Sequence, residues 1–229
     1  MVNPKLNYLL ASVGEEELEK IADHMTLVSL TKGQTLMNVG QIPSHVYYPV
    51  GAIVSMMNDM SDGYSIESYM IGNTGMVGMG TLNVPSFYRA VVRSSGLAYR
   101  LPVQVLMQEL RKSPAYVCAA LDGMRHIMRQ MSQAISCGKH HSVDQQLIRW
   151  ILVTLDRSFD EKIAITHQEL SEILGFRREA ITYALGRFSE DGYIARGRGE
   201  IVVLDRQALE DESCDCYWIA QEKKRKVTP

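Results

Sequence analysis

Residues 165–205 read ITHQELSEILGFRREAITYALGRFSEDGYIARGRGEIVVLD. Thr166-His167-Gln168-Glu169 has the form of a capping box. The Thr166 hydroxyl can accept the Glu169 backbone N–H while the Glu169 carboxylate reaches back to the Thr166 N–H. A helix to Leu174 follows, with Leu170, Ile173 and Leu174 as its apolar positions. Gly175 falls where a tight interhelical turn needs positive φ. A second helix starts near Arg177, buries Ile181, Leu185 and Phe188, and stops at Asp191-Gly192, where glycine serves as the C-terminal cap. Two short helices joined by a glycine turn form a helix-turn-helix unit.

In such a unit the N-terminal residues of the second helix enter the DNA major groove. Here they are Arg177, Arg178, Glu179, Thr182 and Tyr183, all polar. Arginine can take guanine O6 and N7 together, and glutamate can accept from cytosine N4. Thr166 and His167 open the first helix, whose exposed N–H groups suit a phosphate. Residues 193–204, YIARGRGEIVVL, read as a hairpin, with Arg196 and Arg198 positioned to hold backbone phosphates without reading sequence. Residues 144–206 carry 9 Lys+Arg against 11 Asp+Glu, so the positive charge is confined to the helix start and the wing. That balance leaves a second reading open: a ligand-sensing or protein-interaction module whose winged helix no longer binds DNA.

Upstream, residues 143–158 read as an amphipathic helix. Before it, Ser113-Pro114 opens a long helix with apolar residues at Val117, Leu121, Met124, Met128, Met131 and Ile135. The gaps of 4, 3, 4, 3 and 4 are those of a coiled-coil seam, pointing to a dimer helix, with packing onto its own domain as the alternative. Gly138 within SCGKHHS (136–142) marks an expected hinge. From Met25 to Pro102, short apolar runs alternate with glycines at about ten-residue spacing, which suggests a β-barrel or sandwich. Asp62-Gly63 is expected to make a type I′ hairpin turn. Residues 103–112 read as one helix and residues 1–20 as another, and no strand pattern is visible between Pro102 and about residue 194.

The chain has 229 residues, 46% hydrophobic and 22% charged, with net charge −2. This is the balance of a folded, soluble protein. No stretch approaches the ~20 apolar residues of a membrane helix, and the first residues lack the basic start of a signal peptide. Cys118, Cys137, Cys214 and Cys216 contain no C-x-x-C pair and read as reduced cytoplasmic thiols. Cys137, His140, His141, Cys214 and Cys216 offer zinc-ligand chemistry, but their spacing fits no known ligand pattern, so no metal site is expected. His167-Gln168-Glu169 imitates the H-x-E of zinc deaminases without the P-C-x-x-C that chemistry requires. GNTGMVGMG (72–80) follows neither dinucleotide- nor phosphate-loop spacing. With no nucleophile–base set in a recognisable context, an enzyme is not expected. The basic run Lys223–Lys226 reads as a solvated tail.

On these residues the chain resembles the cyclic-AMP receptor protein/Fnr superfamily of bacterial transcription regulators. The resemblance covers nearly the whole chain and is most specific over 165–203. It implies an α+β fold. A cyclic-nucleotide-binding-like β-roll (double-stranded β-helix or jelly roll) would span 1–112, a dimerisation helix 113–138, a hinge 139–144, a winged helix-turn-helix 145–210 and a tail 211–229. The family's base-reading Arg-Glu pair falls on Arg178 and Glu179. Its third reading position, often Arg, is Tyr183, and Gln168 matches a phosphate contact. The family's phosphate cassette matches Gly78-Met79-Gly80 and Arg89-Ala90-Val91. The phosphate-pairing Arg is present as Arg89, but the ribose-binding Glu is Met79 and the hydroxyl residue is Ala90. Losing two polar partners of a desolvated ligand costs ~1–3 kcal/mol each, so cyclic AMP is not the expected effector. The purine-facing region would lie near Met131 and Ser132. Iron–sulfur sensing needs cysteines near the N-terminus, and the first here is Cys118. The resemblance implies a cytoplasmic homodimer on double-stranded DNA, with RNA polymerase as a further partner of an activator, no membrane association, no cofactor, and an unidentified effector acting through the hinge.

Overall fold

The computed structural model describes residues 2–158 and 162–220. It divides into two compact units. One runs to Asp59 and takes Ser68–Met128; the other takes Met60–Glu67 and the described residues from Arg129 onward.

The first unit opens with a 3-10 turn, Pro4–Leu6, followed by α1 (Tyr8–Ser12) and α2 (Glu15–Ala22), where one helix is expected from the sequence. Gly14, at φ 92° and ψ 166°, divides α1 from α2, and Asn7 caps α1. Fully buried, it accepts from the Leu9 and Leu10 backbone N–H groups as the α1 cap, and its Nδ2 donates to the carbonyls of Pro49 and Gly75, both at 2.9 Å. Every polar atom of this buried amide is thereby satisfied.

The roll expected from the alternating strands is present. β1 (Thr26–Leu30), β2 (Thr35–Met37), β3 (His45–Pro49), β4 (Ile53–Asp59), β5 (Ser65–Ile71), β6 (Arg89–Ser94) and β7 (Gly96–Pro102) form two sheets, ordered β1-β7-β3 and β2-β6-β4-β5. Val46, Tyr48, Val50, Tyr99 and Leu101 build a core with Leu10, Leu18 and Ile21 from the leading helices and Leu106 and Tyr116 from the following ones. Gly96 allows a close approach: a Cβ there would lie 2.5 Å from the backbone of Gly51 and Ala52. The 60–64 connection is not a type I′ turn. That turn needs positive φ at both central residues, and only Gly63 has it. The loop is instead closed by Met60 N–H on the Tyr64 carbonyl at 2.8 Å.

α3 (Val103–Lys112) leads to α4 (Pro114–His140). The helix does not stop at Gly138; the His141 N–H still bonds the Cys137 carbonyl at 3.0 Å. The break expected over 139–144 narrows to His141-Ser142, because Ser142 and Gln145 form a capping box that starts α5 (Val143–Leu155) at once. One glycine inside a helix costs only ~1 kcal/mol, which a 27-residue helix tolerates.

In the second unit, α6 (His167–Leu174) and α5 both pack against α7 (Arg178–Glu190), and Leu147, Ile151, Leu170, Ile173, Ile181, Leu185 and Phe188 are buried. A short strand absent from the sequence reading, β8 (Lys162–Ile163), joins β9 (Ile194–Gly197) and β10 (Glu200–Val203) in the order β8-β10-β9. Two residues carry no readable alternation, so only the sheet reveals them. Met60–Glu67 is tied to this unit by Trp150 Nε1, which donates to Glu67 Oε1 at 3.1 Å.

The stretch read as a tail from residue 211 is folded to Ala220. α8 (Arg206–Glu212) and α9 (Asp215–Ala220) bury Leu209, Cys214, Cys216 and Tyr217. Arg206 Nη2 bonds Asp156 Oδ1 at 2.5 Å and the Tyr217 hydroxyl at 3.0 Å, and that hydroxyl donates to Asp156 Oδ2 at 3.1 Å. The signal in the sequence was Tyr217-Trp218-Ile219, too apolar for a solvated tail. Lys223–Lys226 lies outside the described residues.

Gly175 adopts φ 72°, ψ 24° between α6 and α7. A Cβ there meets Ile66 at an ordinary 3.6 Å, so Gly175→Ala is penalised by the left-handed backbone alone, by about 1–2 kcal/mol. Calorimetry should show a melting temperature lower by roughly 2–8 °C, and an unchanged melting point would contradict the turn geometry.

Candidate nucleic-acid interface

The capping box forms as read. The Thr166 N–H bonds Glu169 Oε2 at 2.8 Å, and the Glu169 N–H bonds Thr166 Oγ1 at 3.1 Å. This fixes the start of α6, and the Gly175 turn then sets the direction of α7. Ser171 Oγ donates to the Phe176 carbonyl at 2.6 Å and holds the turn.

Arg177 is the N-cap of α7, with Arg178 and Glu179 in its first turn. All three are exposed, as are Thr182 and Tyr183 one turn on. Residues 178 and 182, and 179 and 183, are i,i+4 pairs, so they form one face. The opposite face carries the buried Ile181, Ala184, Leu185 and Phe188. Thr182 is engaged by the first helix: its Oγ1 lies 2.9 Å from His167 Nδ1. Gln168 Nε2 donates to Glu172 Oε1 at 3.0 Å. Tyr183 is 71% exposed, and the Arg187 guanidinium stands 5.7 Å from its ring centroid. Arg187 is held in turn by Asp144 on α5. This Asp144–Arg187–Tyr183 chain is not expected from the sequence, although Tyr183 and Arg187 stand one helical turn apart.

The wing places Arg198 at its exposed two-residue tip, where Gly199 takes φ 77°. Arg196 lies on β9 with its Nη1 3.8 Å from the Cβ position of Gly186 on α7. His167 records the resulting field. Its pKa is lowered from 6.5 by burial first, and then by the positive charges of Arg178 and Arg196. Arg178 at the start of α7 and Arg196 of the wing therefore both act on His167 at the start of α6.

The residues matched to an effector pocket are differently placed. Met79 is buried in the first unit's core, and a Cβ on Gly123 of α4 would lie 2.6 Å from its Cε. Arg89 is bidentate with Asp59, Nε to Oδ2 at 2.6 Å and Nη2 to Oδ1 at 2.7 Å. Ala90 is fully buried in β6, Gly78 is a left-handed turn residue, and Gly80 is exposed. Met131 and Ser132 lie on the second unit's part of α4.

The apolar positions at heptad spacing on α4 are largely uncovered. Val117, Leu121, Met124, Met128 and Ile135 are 38%, 59%, 45%, 67% and 63% exposed, and Met131 is half-buried. Among the described residues, no helix is long and apolar enough to cross a membrane.

Residues 145–212 match the Crp-like helix-turn-helix domain. The Global nitrogen regulator of Synechococcus elongatus is 22% identical over 193 residues, covering 79% of this chain and 86% of that protein. The Global nitrogen regulator of Synechocystis sp. is 21% identical over 193 residues, covering 79% and 85%. A crp/fnr-family regulator from Eubacterium rectale superposes with a TM-score of 0.70 at 17% identity, covering 90% of this chain and 98% of that one. A CRP-family regulator from Thermus thermophilus gives 0.69 at 16% identity, covering 81% and 96%. The solved structures match in fold, a β-roll followed by a long helix and a winged domain, and the domain match covers the surface just described. Residues 145–212 form a Crp-like helix-turn-helix domain, the chain is similar in sequence and fold to Crp/Fnr-type regulators, and it is a DNA-binding transcription regulator.

Proposed function

We propose that the protein acts as a cytoplasmic homodimer that reads a pseudo-palindromic operator, each subunit laying the start of α7 in a major groove. The exposed face of α7 that carries Arg177, Arg178, Glu179, Thr182 and Tyr183, opposite the buried Ile181, Leu185 and Phe188, carries this reading. Arg177, Arg178, Glu179 and Tyr183 read bases, while Thr166, His167, Gln168, Arg196 and Arg198 hold phosphates. Thr182 orients His167 as well as facing the groove. The apolar stripe of α4 supplies the two-fold seam, which sets half-sites about one helical turn apart. The protein works by binding rather than catalysis, and an activating role would add contact with RNA polymerase.

A ligand of the first unit is of another class than cyclic AMP. Asp59 occupies the guanidinium fork that a cyclic phosphate would need, and a thioether stands where a ribose hydroxyl would need a carboxylate. Isothermal titration of the purified protein with cyclic AMP should show no heat, and saturable binding in the micromolar range would overturn this point.

His167 gives the interface a pH signature. Its lowered pKa keeps it neutral at pH 7, so it favours the folded state above the ordinary value of 6.5 and loses that contribution as pH falls below it. A neighbouring phosphate reverses the field and favours the imidazolium. Operator affinity should therefore rise as pH falls from about 8 to about 6, by up to tenfold per unit of upward shift. Fluorescence anisotropy across that range tests this. His167→Gln should flatten the slope, and an unaltered slope would remove His167 from the interface.

A further inference from the structure

We propose that Cys137, His141, Cys214 and Cys216 form a structural zinc site that staples the last turn of α4 to the α8–α9 turn. Their ligand atoms all lie within 4.8 Å of one another. Cys137 and His141 are i,i+4 on one helix turn, joined by the His141 N–H on the Cys137 carbonyl, so both side chains leave the same face. Cys214 and Cys216 flank the first residue of α9, and the Tyr217 N–H bonds the Cys214 carbonyl at 3.0 Å. The two segments are 77 residues apart at their Cys137–Cys214 contact, which is why linear spacing showed no motif.

The distances suit zinc. Tetrahedral geometry with Zn–S near 2.3 Å and Zn–N near 2.0–2.1 Å gives edges of about 3.8 Å between sulfurs and about 3.5 Å between sulfur and nitrogen. Cys137 Sγ–Cys214 Sγ is 3.8 Å, and Cys216 Sγ–His141 Nδ1 is 3.6 Å. The three cysteines are 0%, 4% and 5% exposed and cluster with one another rather than with the apolar core. His141 is half-buried and leaves a path for entry. Three thiolates and Zn²⁺ carry one net negative charge, and Arg149 on α5 acts electrostatically on both Cys137 and Cys216. Among the described residues the Arg149 Nε is buried without a hydrogen-bond partner. Four protein ligands leave no open position, so the site is structural rather than catalytic. On binding, zinc displaces the thiol protons to solvent with no redox change. This reverses the sequence expectation of no metal, and it leaves out His140, which is exposed.

The test is metal analysis and cobalt substitution of the full-length protein, prepared anaerobically with zinc in the growth medium. About one zinc per chain is expected, with no Cys137–Cys214 disulfide by mass spectrometry. Cobalt(II) loading of the stripped protein should give thiolate charge-transfer absorption and the intense visible bands of a tetrahedral ion. Cys216→Ser and His141→Ala should lower the metal content or weaken retention at least tenfold, while Cys118→Ser and His140→Ala retain it. A metal-free chain whose cobalt spectrum stays octahedral, or a native disulfide, would overturn the proposal. The wild-type cobalt spectrum decides the matter even if a variant fails to fold.

Discussion

Leu121→Glu combined with Met128→Glu should turn the protein into a monomer and weaken operator binding by about 10²–10⁴-fold. Both side chains are more than half exposed, on a stripe that includes the exposed Val117, Met124 and Ile135, whereas Tyr116 and Ala119 of the same helix are buried. Two helices facing along this stripe would bury each glutamate against apolar side chains, where an unpaired carboxylate costs several kcal/mol. Each winged head would then bind its half-site alone. The affinity that linkage adds comes from effective concentration, and it is lost with the linkage. Sedimentation gives the mass and anisotropy the affinity, while circular dichroism should report an intact helix, since glutamate is a good helix former. A pair of substitutions that leaves the mass dimeric would show that the stripe serves another purpose.

The second large effect concerns reading. Arg178→Ala should cost about 1–3 kcal/mol, or roughly 5–150-fold in affinity, and should relax preference at one base pair of each half-site. Arg178 sits in the first turn of α7 with its face set by the buried Ile181 and Leu185. Arg198→Ala should act differently. At the tip of the wing it can reach only backbone, so it should weaken all sequences about equally and reduce the salt slope by about 1. Measuring both variants on a matched and a mismatched duplex at two salt concentrations separates the roles. Equal losses on both duplexes for Arg178→Ala would make it a phosphate contact.

The winged domain was legible because its signals are local. A capping box, a glycine turn and a terminating glycine all lie within 27 residues, so the chain announces both helices before any tertiary contact. The apolar stripe of α4 was legible because heptad spacing is a local regularity, and its side chains are exposed. The break expected over 139–144 falls at His141-Ser142 rather than at Gly138, because helical bonding runs to His141 and the Ser142–Gln145 capping box starts the next helix. What stayed hidden depends on distant partners. Asn7 joins Pro49 and Gly75, Arg89 joins Asp59, Asp144 joins Arg187, and Cys137 meets Cys214. No residue-by-residue reading brings such pairs together. The acidic total of the winged domain misled in the same way: acids and bases were counted equally, although His167 feels the arginines of one face.

Two heads reading one two-fold-symmetric site are the heart of the proposed mechanism, and selection from a random duplex library with the purified protein at fixed salt tests it most directly. The predicted result is an inverted repeat with half-sites about one helical turn apart, its enrichment abolished by Arg178→Ala with Leu121→Glu. Enrichment of single, unpaired half-sites, or none with or without cell extract, would contradict it.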